Sequence, residues 1–265
     1  MRLQWLGSLL LASACLNSSL AQQSKSRVPV RDPIALGILQ QATGAAGGLP
    51  AIDMFQSFSA TGRITVYRTE EGTEGEVSVK GRGLQEIRVD AHLDGIDEWW
   101  FIGKSGGFRK EAGGTVRPLN YQEVINIRSF CPPWPQVARA IRDSLMEVTS
   151  LGATKLNGRP AFGVRIRDTR IPVGQVNVGG KLLEKDFYID GQTFQVIAVE
   201  DVSYPMDKIA GGISRRVTFS DYRVVNGTPF PFSISEQVGH HRRLMAIHLV
   251  EVSINVPLSD HDFAP

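Results

Sequence analysis

The sequence predicts an α+β fold, in which one curved antiparallel sheet of about 11 strands forms an incomplete β-barrel with short helices covering its concave face. First, apolar residues alternate with a period of two through most of the chain, as in half-buried strands. Second, Asn-Gly or Asp-Gly pairs at 157–158, 190–191 and 226–227 separate such runs and predict hairpins. Third, helical periodicity is confined to residues 33–43 and 120–145. A sheet this wide is expected to curl around its covering helices.

Composition narrows the class of protein. The chain has 265 residues, with 29 Lys and Arg against 27 Asp and Glu, and 42% hydrophobic residues. This length suits a packed domain, and the net charge of +2 is too small for a protein that neutralises many nucleic-acid phosphates. The two cysteines, Cys15 and Cys131, exclude a disulfide scaffold or a four-thiolate zinc site.

The first 21 residues predict a secretory signal peptide. Arg2 is followed by an uncharged segment that includes an apolar run at 6–16, which is too short to span a bilayer. Cleavage after Ala21 would leave a flexible leader at 22–31 and one domain at 32–265, located in the periplasm or secreted. Alternatively, residues 11–15 resemble a lipobox, which would leave a lipoprotein anchored through Cys15. No later segment has enough apolar residues to predict a membrane span.

Capping signals mark the helices. Asp32-Pro33 reads as an N-cap followed by proline at the first helical position, which predicts a helix over 33–43. Gly44 is a candidate C-terminal stop for this helix, and residues 45–49 read as a Gly-rich connector. Asn120 and Glu123 have capping-box spacing, and a second short helix follows the prolines at 132–135.

The alternating strands supply a candidate apolar lining. After the first helix, the period of two begins near Phe58 and continues through a five-stranded meander to residue 108. The densest aromatic segment is 99–102, where Trp99 and Phe101 share one face of a strand while Trp100 and Ile102 share the other. The candidate ligand-contacting residues are Phe58, Ile64, Val77, Val79, Trp99 and Phe101.

Four segments together carry a family resemblance. The order of signal peptide, helix, meander, helical insertion and hairpins is similar to that of the LolA/LolB/LppX-like superfamily of periplasmic lipoprotein and lipid carriers. The segments that resemble the family's first helix and strand, second strand, late hairpin and final strand are residues 38–42 with 55–62, 75–82, 219–231 and 254–265.

The resemblance implies a non-enzymatic carrier or binding protein, with an acyl chain of a lipid or a lipoprotein anchor held in an apolar cavity under a helical lid. It also implies that an Arg in the turn after the second strand latches the lid; Arg82 matches best, with Lys80 as the fallback. An alternative is a periplasmic envelope sensor or interaction module with the same fold, which binds an envelope protein and transfers no lipid. Basic clusters at 215–216 and 240–243 could serve a handover to a membrane, or could be solvated hairpin tips.

Catalytic patterns are lacking in the sequence. No G-x-S-x-G, P-loop, G-x-G-x-x-G, H-E-x-x-H or C-x-x-C motif occurs. Asp90, His92 and Asp94 alternate along one strand and could hold a metal, but such residues more often form the wet face of a strand. Cys131 is expected to be a buried thiol. We therefore expect no enzyme activity, no cofactor, no resident metal and no nucleic-acid partner.

Overall fold

A single antiparallel sheet organises the molecule. The computed structural model describes residues 28–83, 86–104, 106–128, 130–170, 184–204, 211–239 and 242–265. The predicted signal peptide and Cys15 lie outside these ranges. The strands are β1 Ser57–Val66, β2 Thr73–Arg82, β3 Glu86–Leu93, β4 Ile96–Gly103, β5 Gly106–Lys110, β6 Val116–Pro118, β7 Met146–Leu156, β8 Arg159–Asp168, β9 Glu184–Asp190, β10 Val196–Ser203, β11 Ile213–Val225, β12 Thr228–Val238 and β13 Arg242–Ile254.

The helices are inserted at two places in this sheet. They are α1 Pro33–Ala45, α2 Gly48–Met54, α3 Tyr121–Arg128 and α4 Trp134–Arg142, with a 3-10 helix at Asp260–Phe263. Helices α1, α3 and α4 are predicted from the sequence. Helix α2 is not predicted, and it begins at Gly48, within the predicted connector. No helix in the described ranges is long and apolar enough to cross a membrane.

The strand order is that of an open, curved sheet. It runs β6-β5-β4-β3-β2-β1-β13-β12-β11-β10-β9-β8-β7, so β1 pairs with the last strand and the edges are β6 and β7. The α+β class and the curved antiparallel sheet are confirmed. The sheet has 13 strands rather than about 11; β6, with three residues, is too short to show alternation.

Two of the three predicted tight turns have the expected backbone. Asn157-Gly158 has φ of 50° and 80°, and Asn226-Gly227 has φ of 47° and 83°, as type I′ turns require. Asp190-Gly191 is different. Asp190 ends β9, and its carboxylate accepts hydrogen bonds from the Gln192 and Thr193 amides, so that a longer loop connects β9 to β10. The carboxylate stabilises this loop in place of the two-residue turn.

The chain before α1 fixes one sheet edge. Asp32 caps α1 by accepting a hydrogen bond from the Ile34 amide at 2.8 Å. Arg31, at the end of the predicted flexible leader, forms a parallel bridge with Val148 of β7. Its guanidinium also donates to four carbonyl groups near the end of α4, at 2.8 to 3.0 Å, those of residues 140, 141, 143 and 146. Arg31 therefore joins α4 to the β7 edge and satisfies carbonyls that the helix leaves free.

The main core fills the space between the helices and the concave face. Leu39 of α1 and Val137 of α4 are fully buried in the same core cluster as strand residues such as Ile64 and Val164. Trp134 meets the Phe55 ring edge-on at 4.5 Å, which anchors the start of α4. The helices cover the concave face, as the sequence predicts.

Strands β1 and β13 approach closely at Gly62, where their pairing contains a β-bulge. A Cβ at Gly62 would lie 2.2 Å from the His248 carbonyl oxygen, a backbone atom that cannot rotate away. We expect Gly62→Ala to lower the free energy of unfolding by about 1–3 kcal/mol. The control is Gly37→Ala within α1, where no atom lies within 4 Å; it should raise stability by about 0.5–1 kcal/mol. Urea unfolding measures both, and equal effects would contradict the tight approach.

Candidate ligand-binding site

A pocket of about 250 Å³ lies between the concave face and helix α3. Its apolar lining comes from β1, β4 and β13 and from the α3 region. These residues are Val66, Trp100, Leu119, Ile127, Phe130, Leu244 and Met245. The charged lining residues are Arg68, Glu98, Arg109, Glu123 and Glu236, and Asn126 is the polar neutral one. The pocket is therefore apolar with charged walls.

The N-terminus of α3 is fixed by a capping box. The Glu123 amide donates to Asn120 Oδ1 at 2.9 Å, and the Asn120 amide donates to Glu123 Oε2 at 3.0 Å. This confirms the pairing predicted from the spacing. Arg117 donates two hydrogen bonds of 2.7 and 2.8 Å to the same carboxylate. Chiefly because of these bonds from Arg117, the pKa of Glu123 is below its ordinary value.

A buried ion cluster joins the sheet to α3. Arg215 is 1% exposed and contacts Asp201 through two hydrogen bonds of 2.7 and 2.8 Å. It also donates to Glu236 at 3.0 Å and to the Asn126 carbonyl of α3 at 3.3 Å. Lys185 lies 4.0 Å from Asp201, and burial lowers the pKa of Lys185 to about 8. Burial likewise raises the pKa of Glu236. This cluster is a direct polar link between the late strands and α3.

This cluster is not among the sequence-based predictions, although the alternation pattern of β11 indicates that Arg215 is buried. Arg215 alternates with Val217 and Phe219, which belong to the buried face of β11. A charged residue in phase with an apolar face points into the core. The predicted exposed basic pair 215–216 is therefore wrong for Arg215. Arg216 faces the other way and pairs with Glu200. Of the other basic cluster, residues 240–241 lie outside the described ranges.

Four of the predicted lining residues lie on the concave face but outside the pocket. Phe58, Ile64, Val77 and Val79 are each at most 4% exposed and belong to the main core. The Phe58 ring packs on Phe230 with centroids 5.3 Å apart. These side chains help to fill the middle of the concave face, whereas the pocket lies toward one end of β1 at Val66.

The other two predicted lining residues lie on the outer face. The Trp99 and Phe101 rings are tilted to each other with centroids 5.5 Å apart, and the Phe101 and Phe108 ring centroids are 5.9 Å apart. The concave face of β4 instead carries Trp100 and Ile102. Both faces of β4 carry aromatic residues, so alternation alone does not predict which face is buried. The Asp94-Gly95 turn sets the register, because it pairs Leu93 with Ile96 and so aligns Trp100 with the buried face of β3.

Arg82 binds the C-terminal segment rather than a covering helix. Its guanidinium donates to Glu86 and Asp260 at 2.7 Å each, and to the Leu258 carbonyl at 3.1 Å. It also lies 5.0 Å from the Phe263 ring centroid. The fallback Lys80 pairs with Asp262 at 2.7 Å. The direct bonds to helix backbone predicted for Arg82 are made by Arg31 to α4 and by Arg215 to α3.

The predicted metal-type triplet is dispersed. Asp90 pairs with Arg88, His92 pairs with Asp97 at 2.7 Å, and Asp94 occupies a turn with φ of 50°. Within the described ranges, no group of three or more His, Cys, Asp and Glu could hold a metal ion.

Cys131 is 3% exposed, and burial raises the pKa of its thiol to about 12. This confirms the buried thiol and opposes thiolate chemistry at neutral pH.

Arg215 and Arg216 form a matched pair for mutagenesis. Arg215→Met would leave Asp201 and Glu236 buried without their guanidinium, so we expect a loss of about 3–5 kcal/mol in the free energy of unfolding. Arg216→Met removes a partly exposed pair on the outer face and should cost about 0–1 kcal/mol. Chemical denaturation followed by far-UV circular dichroism measures both. Similar losses for the two variants would show that the buried cluster contributes no more to the free energy of unfolding than the outer pair does.

Comparison with solved structures places this fold. No family model and no curated protein sequence matches the chain. A domain described as an outer-membrane lipoprotein-sorting protein from Vibrio parahaemolyticus aligns with a TM-score of 0.52 and 12% identity, covering 87% of this chain and 96% of that one. A DUF1329 family protein from Desulfovibrio piger aligns with a TM-score of 0.53 and 11% identity, covering 88% of this chain and 98% of that one. A LolA superfamily protein from Nitrosomonas europaea aligns with a TM-score of 0.51 and 12% identity, covering 87% of this chain and 97% of that one. The chain thus has the LolA-like fold: an open antiparallel sheet whose concave face is covered by short helices.

Proposed function

We propose that the protein is an exported, non-enzymatic carrier or binding protein, which holds an acyl chain of a lipid or lipoprotein between the concave face and α3. The observation that carries this proposal is the largely apolar pocket beneath α3. The fold it shares with a lipoprotein-sorting domain supports the same role. Each methylene transferred from water into such a lining would contribute about 0.8 kcal/mol.

Helix α3 is suited to act as a movable cover. It has eight residues, and a helix this short is not stable by itself in water. Polar contacts at Glu123, Gln122 and the Asn126 carbonyl hold it to the sheet and to the Tyr204 amide. Water can replace such bonds when the helix lifts. Helix α4 buries more apolar side chains in the core, namely Trp134, Val137, Ala138 and Ala140, whereas α3 buries Ile127 there.

The size of the pocket makes this movement necessary for larger cargo. At about 250 Å³ it is below the roughly 300–1,000 Å³ typical of pockets for drug-sized ligands. With α3 in place, only a slender chain would fit. A diacyl anchor would need α3 to shift away from β4 and β5.

The proposed location is the bacterial envelope. The predicted signal at residues 1–21 and the predicted cut after Ala21 give a periplasmic or secreted protein, with a lipoprotein anchored at Cys15 as the alternative. Mass spectrometry of the mature N-terminus separates these outcomes.

A second candidate function is an envelope interaction module with no lipid cargo. It is favoured by one observation: the middle of the concave face is filled by the chain's own side chains, such as Phe58 and Leu39. In that case the pocket beneath α3 would stay empty, and an envelope protein would bind elsewhere on the molecule.

Filling the pocket tests the carrier proposal. Val66 lines the pocket beside Met245, so Val66→Trp should occupy the space an acyl chain needs and weaken binding of dansyl-undecanoate by at least about tenfold. Fluorescence titration measures this, and native mass spectrometry of protein purified without detergent tests for bound lipid.

The matched control is Val250→Trp in the same pair of strands, because Val250 is 65% exposed. It should bind the probe as the wild type does. If wild-type protein carries no lipid and does not bind the probe, the carrier proposal is wrong and the interaction module is favoured.

A further inference from the structure

We infer that the pocket selects an anionic single-chain amphiphile, whose phosphate or carboxylate group binds Arg109. This inference rests on the proposed function, because it specifies the class of ligand for the same pocket. It follows from how the charges of the pocket wall are already paired.

Each carboxylate of the pocket wall is paired with a guanidinium. Glu98 is 3% exposed and pairs with Arg68. Glu123 is held by Arg117 at 2.7 Å, and Glu236 by Arg215 at 3.0 Å. These contacts give every lining carboxylate a guanidinium partner, and Arg117 and Arg215 each also bind a second carboxylate, Glu111 and Asp201. Among the described residues of the wall, a ligand anion would therefore not face a carboxylate that lacks a guanidinium partner.

Arg109 is the lining guanidinium with the loosest contacts. Its Nε is buried and has no hydrogen-bond partner. Its nearest carboxylate oxygens are 3.5 Å away on Glu123 and 3.6 Å away on Glu111, and both carboxylates bind Arg117 more closely. A buried donor without an acceptor is rare in folded proteins. The 31% exposure of the Arg109 side chain leaves its guanidinium accessible to an incoming oxyanion.

Guanidinium chemistry then selects the ligand group. The planar fork of Arg binds phosphate or carboxylate through two parallel charge-assisted hydrogen bonds. Such bonds would satisfy the donors of Arg109 better than the long contacts to Glu111 and Glu123 do. A cationic group would instead be repelled by Arg109 and Arg68, and a neutral group would gain less from them.

The neighbours of Arg109 account for the rest of the amphiphile. Arg109 lies opposite Trp100 in the β4–β5 pairing, on the concave face. Leu119 and Ile127 line the same pocket. An anionic group at Arg109 would thus place its chain against apolar side chains. The volume of about 250 Å³ favours one chain over two.

The test uses amphiphiles that share one chain and differ in the headgroup. Dodecyl phosphate and laurate are the anionic probes, 1-dodecanol is neutral, and dodecyltrimethylammonium is cationic. All four are titrated below their micelle concentrations by displacement of dansyl-undecanoate. We expect wild-type protein to bind at least one anionic probe about 10- to 100-fold more tightly than dodecanol. Comparison of dodecyl phosphate with laurate identifies the preferred anion.

Three variants assign the preference to Arg109. Arg109→Gln should remove the anionic preference, so that dodecyl phosphate and laurate bind no more tightly than dodecanol, whereas Arg109→Lys should retain part of the preference. Lys110→Gln is the matched control, since it removes the same charge from the next residue, on the outer face of β5. If Arg109→Gln fails to fold, the Arg109→Lys and Lys110→Gln proteins still decide the matter: unchanged preference in the first variant together with its loss in the second would overturn the inference.

The outcomes for the pocket and for its selectivity are separable. If none of the four probes binds wild-type protein, the proposed function itself fails. If dodecanol binds as tightly as dodecyl phosphate and laurate, the pocket holds acyl chains and only the role of Arg109 is overturned.

Discussion

One wide sheet with a single apolar concave face constrains the whole molecule. Thirteen strands in one open sheet leave that face to be buried by something other than a second sheet. In the described ranges, four short helices cover the concave face, and they are buried in the core to different extents. Helices α1 and α4 pack into the main core, and Arg31 ties α4 to the edge strand β7. Helix α3 covers the remaining part, and the pocket lies beneath it.

The charges on this concave face follow from the same constraint. A buried guanidinium is stable only when carboxylates and carbonyls satisfy its donors. Arg215 meets that requirement with Asp201, Glu236 and the Asn126 carbonyl, and so links the late strands to α3. Arg109 meets it poorly, and its loose contacts are the basis for the anionic ligand proposed above. Arg215 thus links the sheet to α3 without lining the pocket, whereas Arg109 lines the pocket and is the residue proposed to bind the ligand.

Sequence reasoning recovers the fold better than the site. Alternation, the Asn-Gly turns and the Asn120–Glu123 capping box are local signals, and each has the predicted structure. The site depends on which face of a strand is inside, which is set by register. The aromatic strand β4 is apolar on both faces, so alternation could not show that Trp100 rather than Trp99 faces the core. Pairing between distant strands also brings Arg215 to α3, and no local pattern encodes that contact.

Hydrogen exchange of the α3 backbone amides is the most direct test of this account. The central claim is that α3 is the weakly held cover of a concave face that is otherwise packed. The account predicts that α3 amides exchange faster than those of α4 in the free protein, and that laurate or dodecyl phosphate slows α3 exchange selectively. Exchange of α3 only through global unfolding, with no change on adding either amphiphile, would contradict it.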